Sequence, residues 1–143
     1  MTKLLDARTS QNASFADSIS IPLAANTPAV IGIVGLNVTG AGDLIRVILN
    51  GIATLSLPSE IPPGEVVLLA VVRGTGTDET VVGNEAIPLT ALDTGVKILN
   101  ITISDYNVPY PPSNELVYSL VLFSTIGCLR VGPESFNAAA YSD

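Results

Sequence analysis

The chain reads as an all-β protein, a jelly-roll sandwich of about eight to ten strands, and three observations point there. Its apolar residues recur in short runs broken by Gly, Pro, Asn and Asp, without a sustained helical stripe. Apolar residues make up 48% of the 143 positions and charged ones only 13%, so there is a core to bury and little charge to keep the chain unfolded. Two runs, 66–72 and 116–123, are apolar at odd and even positions alike, as in strands covered on both faces.

Taken in order, residues 1–16 are polar and unpatterned and read as an N-terminal arm, loose or docked on a neighbour, ahead of a jelly-roll domain over 17–143. Leu4, Leu5 and Phe15 are its apolar anchors. Burying them gains on the order of 5–8 kcal/mol, at about 1.5–3 per side chain. Fixing the backbone costs roughly 1–2 kcal/mol per residue, which cancels that gain. Such an arm can dock only as an added strand whose backbone bonds extend a sheet.

Strands are expected near Ser18–Leu23, Ala29–Val38, Leu44–Asn50, Ile52–Leu57, Glu65–Arg73, Glu85–Leu89, Val96–Ser104, Leu116–Ser124, Cys128–Val131 and Ser135–Tyr141. Asn50-Gly51 signals a type I′ hairpin, or else a bend within one long strand. Pro58, Pro62-Pro63-Gly64, Gly74-Thr-Gly76 and Pro109-Tyr-Pro-Pro112 supply turn chemistry. Tyr106, Tyr110 and Tyr118 gather in sequence around the last of these, an aromatic-proline edge of the kind interfaces favour.

Laid on itself at an offset of fifty, the chain echoes without gaps. Asp43 falls on Asp93, Ile48-Leu49-Asn50 on Ile98-Leu99-Asn100, Pro62 on Pro112, Glu65 on Glu115, Val67 on Val117 and Val71 on Val121. A fifty-residue internal repeat suits the paired Greek keys of a jelly roll.

Charge and composition narrow the function. Thirteen acids against six bases give a net charge of −7, which offers no electrostatic attraction for nucleic acid or anionic lipid. With no His and one Cys, neither a metal site nor a cofactor site is expected, and no Ser, Thr or Lys has a visible base. Cys128 reads as a small buried hydrophobe, with an intermolecular disulfide as the alternative. Gly74-Thr-Gly-Thr-Asp78-Glu79 holds two acids, too few oxygens for Ca²⁺, and reads as a solvated loop. The sharpest catalytic motif is Asp93-Thr94-Gly95, the aspartic-protease triplet, with Ile126-Gly127 as a later partner element. Val96-Lys97 follow where that family has small residues, and only 48 residues remain after the triplet, so a turn closed by the Asp side chain is the expected role.

The segment Glu134-Ser-Phe136-Asn-Ala-Ala-Ala-Tyr141-Ser-Asp143 resembles the closing strand of tumour-necrosis-factor-like and complement-type globular heads. Bacterial spore-surface proteins use the same jelly roll in trimeric heads, and endospore appendage subunits stack a related one into fibres. The chain carries neither a Cys-rich connector nor a Gly-X-Y stalk. The resemblance implies a non-enzymatic structural subunit of a surface layer, filament or trimeric head, at a spore or particle surface. A phage or virion coat, decoration or fibre protein is the alternative, and an aspartic protease the third reading. The charge deficit makes the expected partner the chain itself, in a homo-oligomer of trimer size or larger. The first residues show no apolar signal region and the longest apolar run is too short to span a bilayer, so synthesis in the cytoplasm without membrane insertion is expected.

Overall fold

The computed structural model describes residues 1–75 and 80–143. The described residues form ten strands and no helix: β1 (Lys3–Ala13), β2 (Ile21–Leu23), β3 (Ala29–Asn37), β4 (Ile45–Leu57), β5 (Val66–Arg73), β6 (Thr80–Pro88), β7 (Gly95–Tyr106), β8 (Glu115–Ser124), β9 (Cys128–Arg130) and β10 (Glu134–Ser142). Every pairing is antiparallel. Sheet A runs β1-β10-β4-β7, with β9 and β2 continuing from the far end of β4. Sheet B runs β3-β8-β5-β6. Most connections cross between the layers, the exceptions being β1 to β2, β5 to β6 and β9 to β10, and the sandwich is a jelly roll.

The core lies between the sheets and follows the period-2 alternation of their inner faces. Sheet A contributes Val47, Leu49, Leu55, Leu99 and Phe136, and sheet B Leu36, Leu69, Val71, Leu120 and Leu122. The segment Glu134–Ser142, expected as a closing strand, is β10 and sits in the middle of sheet A between β1 and β4.

Residues 3–13, read from sequence as an arm, are instead β1, paired along its length with the chain's own β10. The physics expected of the arm holds, since the ordering cost is met by backbone hydrogen bonds to a sheet edge. The sheet is its own. The pairing shifts register between Leu4 and Asp6, where the Asp6 carboxylate accepts from the Asn37 N–H at 2.9 Å and ties β1 to β3. That bond from Asn37 holds the Asp6 carboxyl below the usual carboxylate range against a small desolvation penalty, with Arg8 and the Ala7 N–H adding to it.

Asn50-Gly51 makes no hairpin, because β4 runs straight through it. Neither residue has the positive φ that a type I′ turn requires. Gly51 faces the core, and a Cβ there would come within 2.9 Å of Leu120 and 3.2 Å of Ile101. The glycine admits a close approach from the opposite sheet.

The strands of the fifty-residue echo are spatial neighbours, β4 beside β7 and β5 beside β8. In the first pair the matched residues keep their faces: Leu49 and Leu99 are core, while Asn50 and Asn100 are exposed. In the second pair the faces invert, with Val67 and Val71 on the core side and Val117 and Val121 on the outside.

Candidate assembly surfaces

Two buried charged clusters use up the ionisable side chains of the interior. Arg73 on β5 donates two bonds to Asp105 on β7, from Nε to Oδ2 at 2.9 Å and from Nη2 to Oδ1 at 2.8 Å. Tyr118 on β8 donates its O–H to the same Oδ2 at 2.8 Å. Burial, then the Asp105 carboxylate, pushes the Tyr118 phenol far above its usual range, so it stays a protonated donor. Burial works against the Arg73 charge, but its bonds to Asp105 outweigh this and raise its proton affinity. Arg130 on β9 likewise forms a bidentate pair with the fully buried Glu134 on β10, at 2.7 and 2.8 Å. Asn12 bonds the Ile31 carbonyl across to β3. The Arg73–Asp105–Tyr118 cluster and the Asn12 bond pin sheet to sheet, while Arg130–Glu134 ties β9 to β10 within sheet A.

The residues singled out from sequence scatter. Tyr118 is fully buried, so within the folded chain it cannot touch another copy; its parity on β8 sends it to the core. Tyr110 is half exposed in the loop before β8 and donates to Asn114 at 2.7 Å. Tyr106 is exposed at the end of β7. The three tyrosines are therefore not one aromatic edge. Leu5 turns inward and packs on the core, whereas Leu4 faces out beside Tyr141. Phe15 is exposed in the turn after β1. Leu4 and Tyr106 stand at opposite ends of one cross-strand row on sheet A, which reads Leu4, Tyr141, Arg46, Tyr106.

Asp93 closes its own turn. Its carboxylate accepts from the Thr90 N–H at 2.7 Å, the Thr90 hydroxyl at 3.1 Å and the Lys97 ammonium at 2.9 Å. The Lys97 bond, then those from Thr90, hold its carboxyl below the usual range. Asp78 and Glu79 lie outside the described residues. Cys128 is half-buried against the core, and burial pushes its thiol up, away from reactive thiolate.

What remains is surface, and it is organised. On the outward face of sheet A, strand pairing sets residues in rows across β1, β10, β4 and β7. The central row is Thr9, Asn137, Asn50, Thr102, with Thr9 donating to Asn137 at 2.8 Å and Thr102 to Asn50 at 3.1 Å. Apolar residues flank it: Ala7, Ala139 and Ile48 on one side, Ile52, Ile98 and Val96 on the other. Toward Tyr106 and Tyr141 the face dips into an open groove of about 470 Å³ with Ile48 and Ser104 in its floor. Arg46, bonded to Thr2, pairs with Asp143 just past β10, and this exposed ion pair holds the charges of the face among the described residues.

Sheet B's outward face is aliphatic. One row reads Val30, Val121, Ala70, Asn84; the next reads Ile33, Ser119, Val72, Val81. Phe123, Leu68 and Ala86 form a third. Ala70, Val72 and Val121, packed with Leu68, make a hydrophobic cluster separate from the core. Glu115, at the end of β8, is the one charged side chain there among the described residues. The sequence reading missed Ile33, Val30, Phe123 and Val81 as individuals. Phe123 lies within the two-sided apolar run 116–123, whereas Val30, Ile33 and Val81 lie outside both such runs.

No protein-family model and no curated protein matches this sequence. Solved structures do share its architecture. Dimeric latent PorU from Porphyromonas gingivalis superposes with a TM-score of 0.58 at 10% identity, over 96% of this chain and 13% of that one. The Kashmir bee virus virion gives 0.47 at 10% identity, over 86% and 65%. The infectious bursal disease virus particle gives 0.46 at 10%, over 96% and 35%. This chain thus spans a small part of PorU and under two thirds of either virion protein. At such identity the likeness is one of fold: the chain is an all-β jelly-roll sandwich.

Proposed function

We infer that this chain is a non-enzymatic structural subunit that builds a coat or shell by packing its sheet faces against copies of itself, at a particle surface. One observation carries the reading. Both outward sheet faces are almost free of charge, with the exposed Arg46–Asp143 pair on sheet A and Glu115 on sheet B the exceptions among the described residues, whose other charges sit on edges, in turns or in buried pairs. A lone globular domain keeps its charge spread over its surface; a subunit that must bury its faces keeps it off them.

Between a particle coat and an arm-linked filament or head, the placement of residues 3–13 favours the coat. Strand donation to a neighbour needs a free strand, and this one is already paired with β10. Growth then proceeds laterally, face by face. Asp93, held by Thr90 and Lys97, supports a turn rather than acid–base catalysis.

Negative-stain microscopy of the purified chain tests this. Closed shells or flat arrays are expected. Fibres that vanish on deleting residues 1–16 would instead favour the arm, and dispersed single particles would remove the structural reading.

A further inference from the structure

We propose that the outward face of sheet B is where two copies of this chain pair, face to face, about a two-fold axis running along the strands between β8 and β5. The proposal rests on the self-assembly reading above and names the surface and its occupant.

Shape carries the argument first. The face has knobs at one edge and a hollow toward the other. Val30 and Ile33 stand out from β3, with 37% and 48% of their surface exposed. Across β8, β5 and β6 lies a shallow apolar groove of about 210 Å³, floored by Ala70, Val72 and Val121 and walled by Leu68, Phe123 and Val81. A two-fold along the strands exchanges left and right, so β3 of one copy lies over β6 of the other. The row Ile33–Ser119–Val72–Val81 then sets Ile33 against Val81 of the second copy, and Val121 comes over Ala70. Val30 meets Asn84 of the second copy by the same operation, and every pair is formed twice, as an isologous contact requires.

Size and charge agree. Four strands about 4.8 Å apart and roughly eight residues long at about 3.3 Å each present some 500 Å². Two copies bury about 1,000 Å², the lower bound for a specific interface. Glu115 lies at one end of β8, so the centre of the contact meets no like charge. Aligned packing of one sheet on another is also how the interior of this protein is built. A lipid surface is a poorer occupant, because membrane-binding faces carry basic rims and the net charge here is −7.

Sedimentation velocity on the whole chain tests the proposal with Ile33→Glu, Val81→Lys, their equimolar mixture, and Ile98→Glu on sheet A as control. All three positions are about half exposed, at 48%, 52% and 53%, so the variants should keep the far-ultraviolet spectrum of the native chain. Each sheet B variant alone should weaken association about tenfold or more, because it buries an unpaired charge. Ile98→Glu should leave this contact intact. The mixture should recover it, since the carboxylate introduced at position 33 of one chain then meets the ammonium introduced at position 81 of the other. If the native chain associates and Ile33→Glu associates equally well, the sheet B contact is overturned while self-assembly stands. Two weakened variants whose mixture stays weak overturn the two-fold arrangement. A native chain that never associates overturns both this proposal and the function it rests on.

Discussion

The two outward faces are made by the same device, strands whose alternate residues leave the core, yet they are finished differently. Sheet A interrupts its apolar positions with a Thr-Asn-Asn-Thr row in which Thr9 bonds Asn137 and Thr102 bonds Asn50. Sheet B is mostly Val, Ile, Leu, Ala and Phe, broken by Ser119 and by Asn84 at its edge, and gathers Ala70, Val72 and Val121 into a second cluster. A face with satisfied amides is at ease in water; an aliphatic one gains from leaving it. Under the proposed pairing, sheet B drives association and sheet A adds lateral contacts once it has begun.

The comparison presupposes that the sheets stay locked together, and breaking the lock should have the largest effect. Asp105→Ala leaves the Arg73 guanidinium and the Tyr118 hydroxyl without their shared partner. A loss of about 3–5 kcal/mol is expected in urea unfolding at neutral pH. Tyr118→Phe, which removes one hydrogen bond and keeps the ring, should cost only about 1 kcal/mol.

Next in size, one strand can be read on both sides. Leu69 is fully buried between the sheets, and Leu69→Ala should cost about 2–5 kcal/mol. Leu68, one residue back on the outward face, should cost less than about 1 kcal/mol in the dilute chain and show its effect in association instead. Equal losses at the two positions would mean that sheet B's outside is ordinary core.

A third variant erases the difference between the faces. Asn50→Val with Asn137→Val turns sheet A's central row aliphatic and raises strand propensity. Light scattering should then show larger and less regular assemblies. Unchanged size would mean that the amide row does nothing to restrain sheet A.

How far the molecule is legible in its sequence depends on what each residue's role needs. Continuous apolar runs bounded by turn residues place a strand wherever hydrophobicity and local chemistry agree, as at Val66–Arg73 and Glu115–Ser124. Lys3–Ala13 escapes such a reading because an edge strand needs only backbone partners, and its exposed side chains carry no apolar pattern. Gly51 is ambiguous because a turn and a close packing contact both call for the missing Cβ. Only the presence of Leu120 decides between them. Tyr118 looks like interface because Tyr106, Tyr110 and the prolines of 109–112 precede it within a dozen residues. Its parity and the partner at Asp105 are set by the fold. Ile33 and Val81 lie 48 residues apart, and only strand order puts them in one row.

The smallest effect is expected at Asp93, away from both faces. Its carboxyl is held below the usual range by Lys97 and Thr90. Its contribution is thus present above the ordinary carboxylate pKa and is lost as pH falls through the lower folded value. Asp93→Asn should loosen the turn slightly at neutral pH, with a gap from the native chain that closes on acidification. Peptide cleavage that disappears in this variant would instead restore the protease reading.

The central claim is that these faces exist to be covered, and the most direct test is the mass of the purified chain by light scattering across the micromolar range. The account predicts an assembly of trimer size or larger, its mass a multiple of 14.8 kDa. A constant mass of one chain, at every concentration, would contradict it.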